Sequence, residues 1–222
     1  MTVTAHSGAF NTPDNSIEFI KKVLEEGCEI FEIDVTFRPD GTPVIIHSGS
    51  PKPTEGILLR DALALVAADP AIRMNLDLKS VKNLPAVDEL LDRYGLADRA
   101  FYTGVGADWA PVVKKNSKIP YYLNADVAPW KRSRTKALAA LADKLAALGA
   151  IGINTHYGNC HPAMVKVFHE KGMPVSVWTV NDGKNAAKYV SMGVDNITSR
   201  RPDVVTAARD AVADADNQAT TA

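Results

Sequence analysis

The chain has 222 residues, of which 46% are hydrophobic, and its formal net charge is -1. This is enough apolar sequence to bury one substantial core, and the length lies within the range of a single α/β barrel. The charge balance argues against a nucleic-acid-binding surface, and no apolar run approaches the roughly 20 residues of a membrane span. Met1 leads almost directly into the first predicted strand. We therefore expect a cytoplasmic protein without a signal peptide or stable membrane insertion.

Short β-rich runs alternate with stretches of helical periodicity along the whole chain. This alternation requires parallel strands joined by crossover helices. Eight such units in about 200 residues are typical of a (β/α)8 barrel, or TIM barrel, and glycine fingerprints of nucleotide-binding sheets are absent. We predict one barrel domain over residues 1–209 and a flexible tail at residues 210–222, where the sequence is small and polar. The predicted strands lie at residues 2–6, 30–37, 72–79, 99–103, 119–123, 150–154, 174–180 and 194–198.

One further apolar run, at residues 43–47, breaks this alternation after the second strand. Asp40-Gly41 precedes it, and Asp-Gly is the strongest short signal for a β-hairpin. A two-residue turn there places residue 34 opposite residue 47, and directly opposed residues share a face. The sequence thus predicts a β-hairpin extension that brings His47 beside Asp34, whereas a shift of one residue would turn His47 to the other face.

Ionisable side chains gather at the predicted carboxyl ends of the first three strands, where barrels of this kind place their sites. Glu32 and Asp34 are two apart on one strand and share a face, and Asp77 and Lys79 repeat that spacing on the next. Burying paired acids is costly without a compensating charge, and carboxylates without cysteine suit Mg²⁺ or Ca²⁺. The candidate set is His6, Glu32, Asp34, His47, Asp77 and Lys79.

This set favours the chemistry of an anionic ester, and a phosphodiester fits best. A divalent cation stabilises charge on a phosphate oxygen, while one histidine removes a proton and the other protonates the leaving alcohol. Lys79 adds a point charge for a phosphate oxygen. We therefore expect a small-molecule phosphodiester as the partner of this site.

Seven short motifs extend this interpretation: Ala5-His6-Ser7-Gly8, Pro13-Asp14-Asn15-Ser16, Phe31-Glu32-Ile33-Asp34-Val35, Asp40-Gly41-Thr42-Pro43-Val44-Ile45-Ile46-His47, Asp77-Leu78-Lys79, Val177-Trp178-Thr179-Val180-Asn181 and Gly193-Val194-Asp195. Each is weak alone, but in this order they make residues 3 to about 205 resemble the glycerophosphodiester phosphodiesterases. The resemblance implies a (β/α)8 barrel with one divalent cation, usually Mg²⁺ or Ca²⁺, that hydrolyses glycerophosphodiesters to glycerol 3-phosphate and an alcohol, a reaction of lipid metabolism. It also implies His6 and His47 as the acid–base pair and Glu32, Asp34 and Asp77 as metal ligands. Lys79 and Trp178 would then bind substrate.

The chain departs from that family pattern at four places. Ser7 stands where the family usually has an arginine, which removes a bidentate phosphate contact, and Lys52 is a candidate for the missing charge. Ser48 replaces an aspartate after the second histidine, and Asp77 replaces a longer glutamate. Only residues 49–57 separate the second histidine from the next helix, so we expect a more open pocket.

Several alternatives stay open at this level. Asp77 and Lys79 fit a simple ion pair along one strand, and Trp178 fits either the core or a pocket wall. We interpret Asn15 as the cap of the first helix, because it precedes the periodic run and Glu18 stands three residues on. Two other functions remain: a phospholipase-D-like lyase that forms a cyclic phosphate from lysophospholipid, and a barrel that binds phosphate esters without catalysis.

Overall fold

The computed structural model describes residues 1–220. The strands are β1 (Thr2–Ala5), β2 (Ile30–Phe37), β3 (Pro43–Ile45), β4 (Ile57–Leu58), β5 (Arg73–Leu78), β6 (Ala100–Val105), β7 (Tyr121–Asn124), β8 (Gly152–His156), β9 (Val175–Trp178) and β10 (Asn196–Ser199). The helices are α1 (Ile17–Glu25), α2 (Leu59–Val66), α3 (Leu84–Arg93), α4 (Ala110–Asn116), α5 (Thr135–Leu148), α6 (Pro162–Glu170), α7 (Gly183–Met192) and α8 (Pro202–Thr220). Each predicted strand is present, and no strand end lies more than two residues from its predicted position.

Eight of the strands form a closed parallel barrel. Their order is β1-β10-β9-β8-β7-β6-β5-β2, and β1 pairs with β2 to close the ring. A helix follows each barrel strand in sequence and covers the outside. The predicted (β/α)8 barrel is confirmed.

The two faces of each barrel strand carry different chemistry, and β2 shows this clearly. Phe31 points outward and packs edge-on against Phe19 of α1, with ring centroids 6.3 Å apart. Its neighbour Glu32 and the alternate residue Asp34 face the inside of the barrel. Apolar residues therefore hold the helices to the barrel, while polar residues are free to line its interior.

Small polar side chains fill the barrel below those acids. Thr4 Oγ1 donates a hydrogen bond of 2.9 Å to Asn196 Oδ1, and Asn196 Nδ2 donates one of 3.0 Å to Ser176 Oγ. These links join β1, β10 and β9 across the interior. They form a packed, hydrogen-bonded floor beneath the mouth of the barrel.

The hairpin extension is present, but its predicted register is wrong by one residue. Val35 pairs with Ile45, so residue 34 lies opposite residue 46 rather than His47. The turn contains three residues, because Arg38 N donates to Thr42 O and Gly41 adopts a left-handed φ of 88°. Asp-Gly therefore serves a three-residue loop with glycine at its left-handed position, not the two-residue turn expected.

The C-terminal segment predicted as a flexible tail is helical over its described residues. Helix α8 continues from Pro202 to Thr220 and so includes residues 210–220. Four of the residues from 210 to 220 are alanines, the residue of highest helix propensity, which favours the helix. Residues 221 and 222 lie outside the described part of the chain, and the flexibility of the segment stays a prediction. Over residues 1–220, no helix has the length and apolar character needed to cross a membrane.

Candidate active site

A pocket of about 480 Å³ opens at the carboxyl ends of the barrel strands. It lies where the fold concentrates functional residues. The seven residues singled out from the sequence all line it: His6, Glu32, Asp34, His47, Asp77, Lys79 and Trp178. The tertiary structure therefore brings together side chains that span more than 170 positions of sequence.

Three carboxylates form the acidic side of the pocket. Glu32, Asp34 and Asp77 each offer an oxygen within 4.8 Å of the others. Asp34 and Asp77 are direct neighbours on β2 and β5, so the shorter Asp77 still reaches the cluster without a glutamate at that position. Burial, together with the charges of Asp77 and Asp34, raises the pKa of Glu32 well above its ordinary value. Oxygen donors that repel one another in a buried cluster fit a hard divalent cation such as Mg²⁺ or Ca²⁺.

Lys79 lies between two of these carboxylates. Its Nζ is 2.8 Å from Asp34 Oδ1 and also bonds Asp77 Oδ2. Burial by itself would lower the pKa of Lys79, but Asp77 and Asp34 raise it overall. Burial would likewise raise the pKa of Asp34, yet Lys79 and Asn15 lower it. The ion pair between Asp77 and Lys79 is thus present, as part of a larger charged group, and phosphate contact by Lys79 stays a prediction.

The two histidines have different hydrogen-bond partners, which gives them different chemistry. His6 Nδ1 lies 2.8 Å from the carbonyl oxygen of Ser7, so this nitrogen must donate and Nε2 keeps its lone pair. Burial is the main cause that lowers the pKa of His6, and this favours the neutral imidazole at pH 7. His47 Nδ1 lies 3.2 Å from Asp34 Oδ2, so its partner is a carboxylate and not a backbone carbonyl group. The two imidazoles therefore lie in one pocket but in different hydrogen-bond environments.

His47 reaches Asp34 in spite of the shifted register. Strand β3 ends at Ile45, and Ile46 N donates to Asp34 O at 3.1 Å. The chain then bends, and Ser48 N donates to Ile46 O at 2.9 Å. Because His47 lies in this bend and not in the ladder, strand alternation no longer decides where its side chain points.

Asn15 contacts the site and does not cap the first helix, so that interpretation was wrong. Ser16 is the cap, and its Oγ accepts from Phe19 N at 3.0 Å. Asn15 Nδ2 donates to Asp34 Oδ2 at 2.6 Å, and Asn15 Oδ1 accepts from Asp34 N at 2.8 Å. Asn15 has a left-handed φ of 52°, which asparagine tolerates better than most residues. Because Ser16 caps the helix, the side chain of Asn15 is free to bond Asp34.

The family model described as "Glycerophosphoryl diester phosphodiesterase family" matches residues 66–204. The chain belongs to this family. The matched region contains Asp77, Lys79 and Trp178 and begins after the other four site residues. Members of the family are phosphoric diester hydrolases, and the chain is an enzyme of that class.

Relatives that match over nearly the whole chain agree with this assignment. A glycerophosphodiester phosphodiesterase of Caldanaerobacter subterraneus subsp. tengcongensis is 23% identical over 244 aligned positions, covering 91% of this chain and 95% of that protein. A solved glycerophosphodiester phosphodiesterase of Parabacteroides distasonis has a TM-score of 0.77 and 24% identity, with 96% and 98% of the two chains covered. An Oleispira antarctica phosphodiesterase, solved with its product sn-glycerol-3-phosphate, has a TM-score of 0.77 and 20% identity, with 95% and 97% covered. The two structures show that the fold is shared.

The family arginine position is occupied here by a buried residue with structural contacts. Ser7 N donates to Glu32 Oε2 at 2.9 Å, and Ser7 Oγ accepts from Asn15 N at 2.7 Å. Ser7 therefore orients a carboxylate and the Asn15 turn. The Lys52 side chain is 81% exposed and pairs with Glu55, so its geometry does not favour a role as the replacement charge.

Arg200 is a cation near the site that sequence reasoning missed. It directly follows β10, and its guanidinium makes a bidentate pair with Asp14 at 2.7 and 2.9 Å. A Cβ on Gly8 would lie 2.7 Å from Arg200 Nη1 and even closer to Asp14, so only glycine fits beside this pair. The charge of Arg200 also contributes to the lowered pKa of His6, after burial and against the Ser7 hydrogen bond. Its position at the carboxyl end of the last strand was the signal that could have identified it.

The opposite side of the pocket is neutral. Asn154 Nδ2 donates to Asn124 Oδ1 at 3.0 Å, while the buried Asn154 Oδ1 has no partner among the described residues. Trp178 is 36% exposed at the rim and meets the ring of His156 edge-on at 5.7 Å. Trp178 is therefore a wall of the pocket and not part of the core. Trp109 also lines the pocket.

Proposed function

We propose that this hydrolase cleaves glycerophosphodiesters to glycerol 3-phosphate and an alcohol, using His6 and His47 for proton transfer and one divalent cation, Mg²⁺ or Ca²⁺. The observation that carries the proposal is the grouping of three carboxylates and two differently bonded histidines in one pocket. The sn-glycerol-3-phosphate bound to the Oleispira antarctica enzyme supports a small glycerophosphoryl substrate.

Glu32, Asp34 and Asp77 would hold the cation. When bound, the cation would offset the repulsion among these carboxylates and stabilise negative charge on a phosphate oxygen. Ser7 N and Asn15 Nδ2 keep Glu32 and Asp34 oriented through hydrogen bonds of 2.9 and 2.6 Å. The acidic side of the pocket is therefore preorganised by backbone and amide groups, as a ligand set requires.

His6 Nε2 is the base in this proposal. It takes the proton from the attacking hydroxyl while Nδ1 stays bonded to the Ser7 carbonyl oxygen. His47 is the acid, and it gives its Nε2 proton to the oxygen of the leaving alcohol while Asp34 holds Nδ1. As water forms the new P–O bond and the bond to the alcohol breaks, His6 gains one proton and His47 loses one. Proton exchange with solvent then returns both histidines to their starting states for the next turnover.

Positive charge for the phosphate comes from two sides. Lys79 Nζ has three protons, of which Asp34 and Asp77 engage two, so one remains for a phosphate oxygen. Arg200, fixed by Asp14 next to the turn that contains His6 and Gly8, supplies a second cation. We assign to Arg200 the electrostatic role that Ser7 cannot fill.

The decisive experiment is hydrolysis of glycerophosphocholine in the presence of Mg²⁺, Ca²⁺ or EDTA. His6→Ala and Glu32→Ala are expected to abolish metal-dependent turnover. His161→Ala is the matched control, because His161 caps α6 through Ala163 N and lies outside the pocket lining. Metal binding without turnover of any diester would contradict the proposal and favour a binding protein. A cyclic phosphate accumulating from lysophosphatidylcholine would instead favour the lyase.

A further inference from the structure

The loop between β7 and α5, residues 125–134, presents an unusually exposed tryptophan. Trp130 is 64% exposed. Among the described residues, the next most exposed large hydrophobic side chain is that of Ile151, at 41%. It lies in a short 3-10 turn over Pro129–Lys131. Leaving an indole this far in water costs free energy unless its apolar ring has a partner.

Four basic residues follow this tryptophan within six positions of sequence: Lys131, Arg132, Arg134 and Lys136. Within residues 1–220, none of them forms an ion pair with an acidic side chain. Arg132 instead donates to Val127 O at 3.0 Å and to Asn159 Oδ1, which shapes the loop. Other exposed cations differ in this respect, since Lys118 pairs with Asp92 whereas Lys114 and Lys115 of the described chain form no such pair. The charges of this loop are therefore available to an external anion.

Their position is unfavourable for the helix that follows. Arg134 is the residue before α5 and Lys136 lies in its first turn, where no acidic residue is present. The positive end of the helix dipole lies there, so cations at this end lower helix stability. Because these cations lower the stability of the helix, their presence indicates a function other than stabilising the fold.

The loop follows the carboxyl end of β7, which places it on the same face of the barrel as the pocket. Beneath it lies a separate cleft of about 380 Å³, lined by apolar residues that include Val127 and Leu138, by Lys131 and Lys144, and by Asp126. Asn159 Nδ2 donates to Asp126 Oδ1, and the two lysines outnumber this acid. The cleft, beside an exposed tryptophan, therefore matches a molecule that has both an apolar part and an anionic part.

We propose that residues 127–136 dock this face of the protein on the surface of an anionic phospholipid bilayer. Tryptophan is favoured at the membrane interface, and lysine and arginine bind anionic headgroups. The overall charge of -1 makes the attraction local to this loop. The docking is peripheral and reversible, since one tryptophan and a few cations cannot anchor a protein permanently. It orients the open pocket toward the bilayer.

The test is sedimentation of the full-length protein with phosphatidylglycerol vesicles and with phosphatidylcholine vesicles. We expect binding to the anionic vesicles only, weakened by added salt. Each cation near such a surface contributes about fivefold in affinity, so Lys131→Ala with Arg134→Ala should weaken binding by about thirtyfold. Trp130→Ala should also weaken it, but without changing the salt dependence.

The matched control is Lys114→Ala with Lys115→Ala, which removes two exposed charges from the last turn of α4, at the other end of the barrel. This variant should bind anionic vesicles like the wild type. Circular dichroism of each variant checks that the fold is retained. No binding to phosphatidylglycerol, equal binding to both vesicles, or equal losses in loop and control variants would overturn the proposal. The measurement requires no turnover, so its result is independent of the proposed function.

Discussion

The two sides of the pocket differ in charge although they belong to one barrel mouth. Strands β1, β2 and β5 and the hairpin contribute acids, histidines and Lys79, whereas β6, β7 and β8 contribute Thr103, Asn124 and Asn154. The acidic side is tied together by ion pairs and short hydrogen bonds. The neutral side keeps an amide oxygen without a protein partner. Under the proposed function, this contrast predicts that one side binds the phosphoryl group and the other binds a neutral, hydroxyl-bearing part of the substrate.

The largest effect should come from the base on the acidic side. His6→Gln removes the proton acceptor and should lower kcat by about 10²- to 10⁴-fold, the usual contribution of a positioned acid or base. Steady-state kinetics on glycerophosphocholine at saturating metal measures this effect. His161→Gln serves as the control and should retain full activity. A loss below fivefold in His6→Gln would show that His6 is not the base.

A second substitution tests the metal site and the stability that the folded protein loses by burying the Glu32 carboxylate. Glu32→Gln should abolish activation by Mg²⁺ or Ca²⁺ but raise the melting temperature of the EDTA-treated protein. In a domain of this size, each kcal/mol gained raises the melting temperature by about 2–4 °C. The reason is that the folded protein disfavours the Glu32 carboxylate, whose pKa is raised by burial and by Asp77 and Asp34.

The raised pKa of Glu32 also determines how the stability difference between Glu32→Gln and the wild type changes with pH. A carboxyl whose pKa is raised by folding binds more protons in the folded state than in the unfolded state. It therefore costs stability as pH rises above the ordinary value of 4.5. The stability difference between Glu32→Gln and the wild type, both without metal, should grow as pH rises through that value. A wild type that is equally or more stable than the variant at pH 7 would contradict this account.

Arg200 offers a sharper comparison because its neighbour is a natural control. Arg200→Gln should raise KM by about tenfold, as expected for loss of a charge-assisted contact worth about 1.5 kcal/mol. Arg201→Gln should leave KM unchanged, because Arg201 pairs with the exposed Asp203 and, unlike Arg200, is not among the charges that act on His6. Competitive inhibition by inorganic phosphate should weaken only in Arg200→Gln. Equal kinetics for the two variants would exclude a role for Arg200 in binding the phosphate.

The smallest effect is expected on the neutral side. Asn154→Ala should leave hydrolysis of bis(p-nitrophenyl) phosphate nearly unchanged but raise KM for a glycerophosphodiester by about threefold or more. The Asn154 amide oxygen can accept a hydrogen bond from a substrate hydroxyl group, and one neutral hydrogen bond contributes about 0.5–1.5 kcal/mol. Parallel KM measurements on the two substrates test this difference. A larger effect on the nitrophenyl diester would remove the distinction between the two sides.

The barrel and the acidic cluster were predictable because both depend on short-range patterns. Alternating β-rich and helical segments define the barrel, and period-two spacing places Glu32 with Asp34 and Asp77 with Lys79 on shared faces. The register of parallel neighbours then sets Asp34 beside Asp77. Each of these inferences needs only strand geometry.

Other parts of the site depended on details that a pattern does not contain. The contact of His47 with Asp34 was predicted, but from the wrong register, and a bend after β3 produces it. Asn15 reaches Asp34 because its backbone is left-handed and Ser16 takes over the helix cap. A helix-cap signal in the sequence cannot distinguish two adjacent cap-forming residues.

The sequence by itself determined the strands, the barrel and the side chains available for catalysis, because local propensity and periodicity encode them. Only the tertiary structure decided which charges meet. Ring closure between β1 and β2, with β10 beside β1, brings Arg200 to Asp14 across 186 positions of sequence. It also places the neutral amides opposite the acids. Such contacts follow from long-range closure of the chain, whose geometry no local pattern specifies.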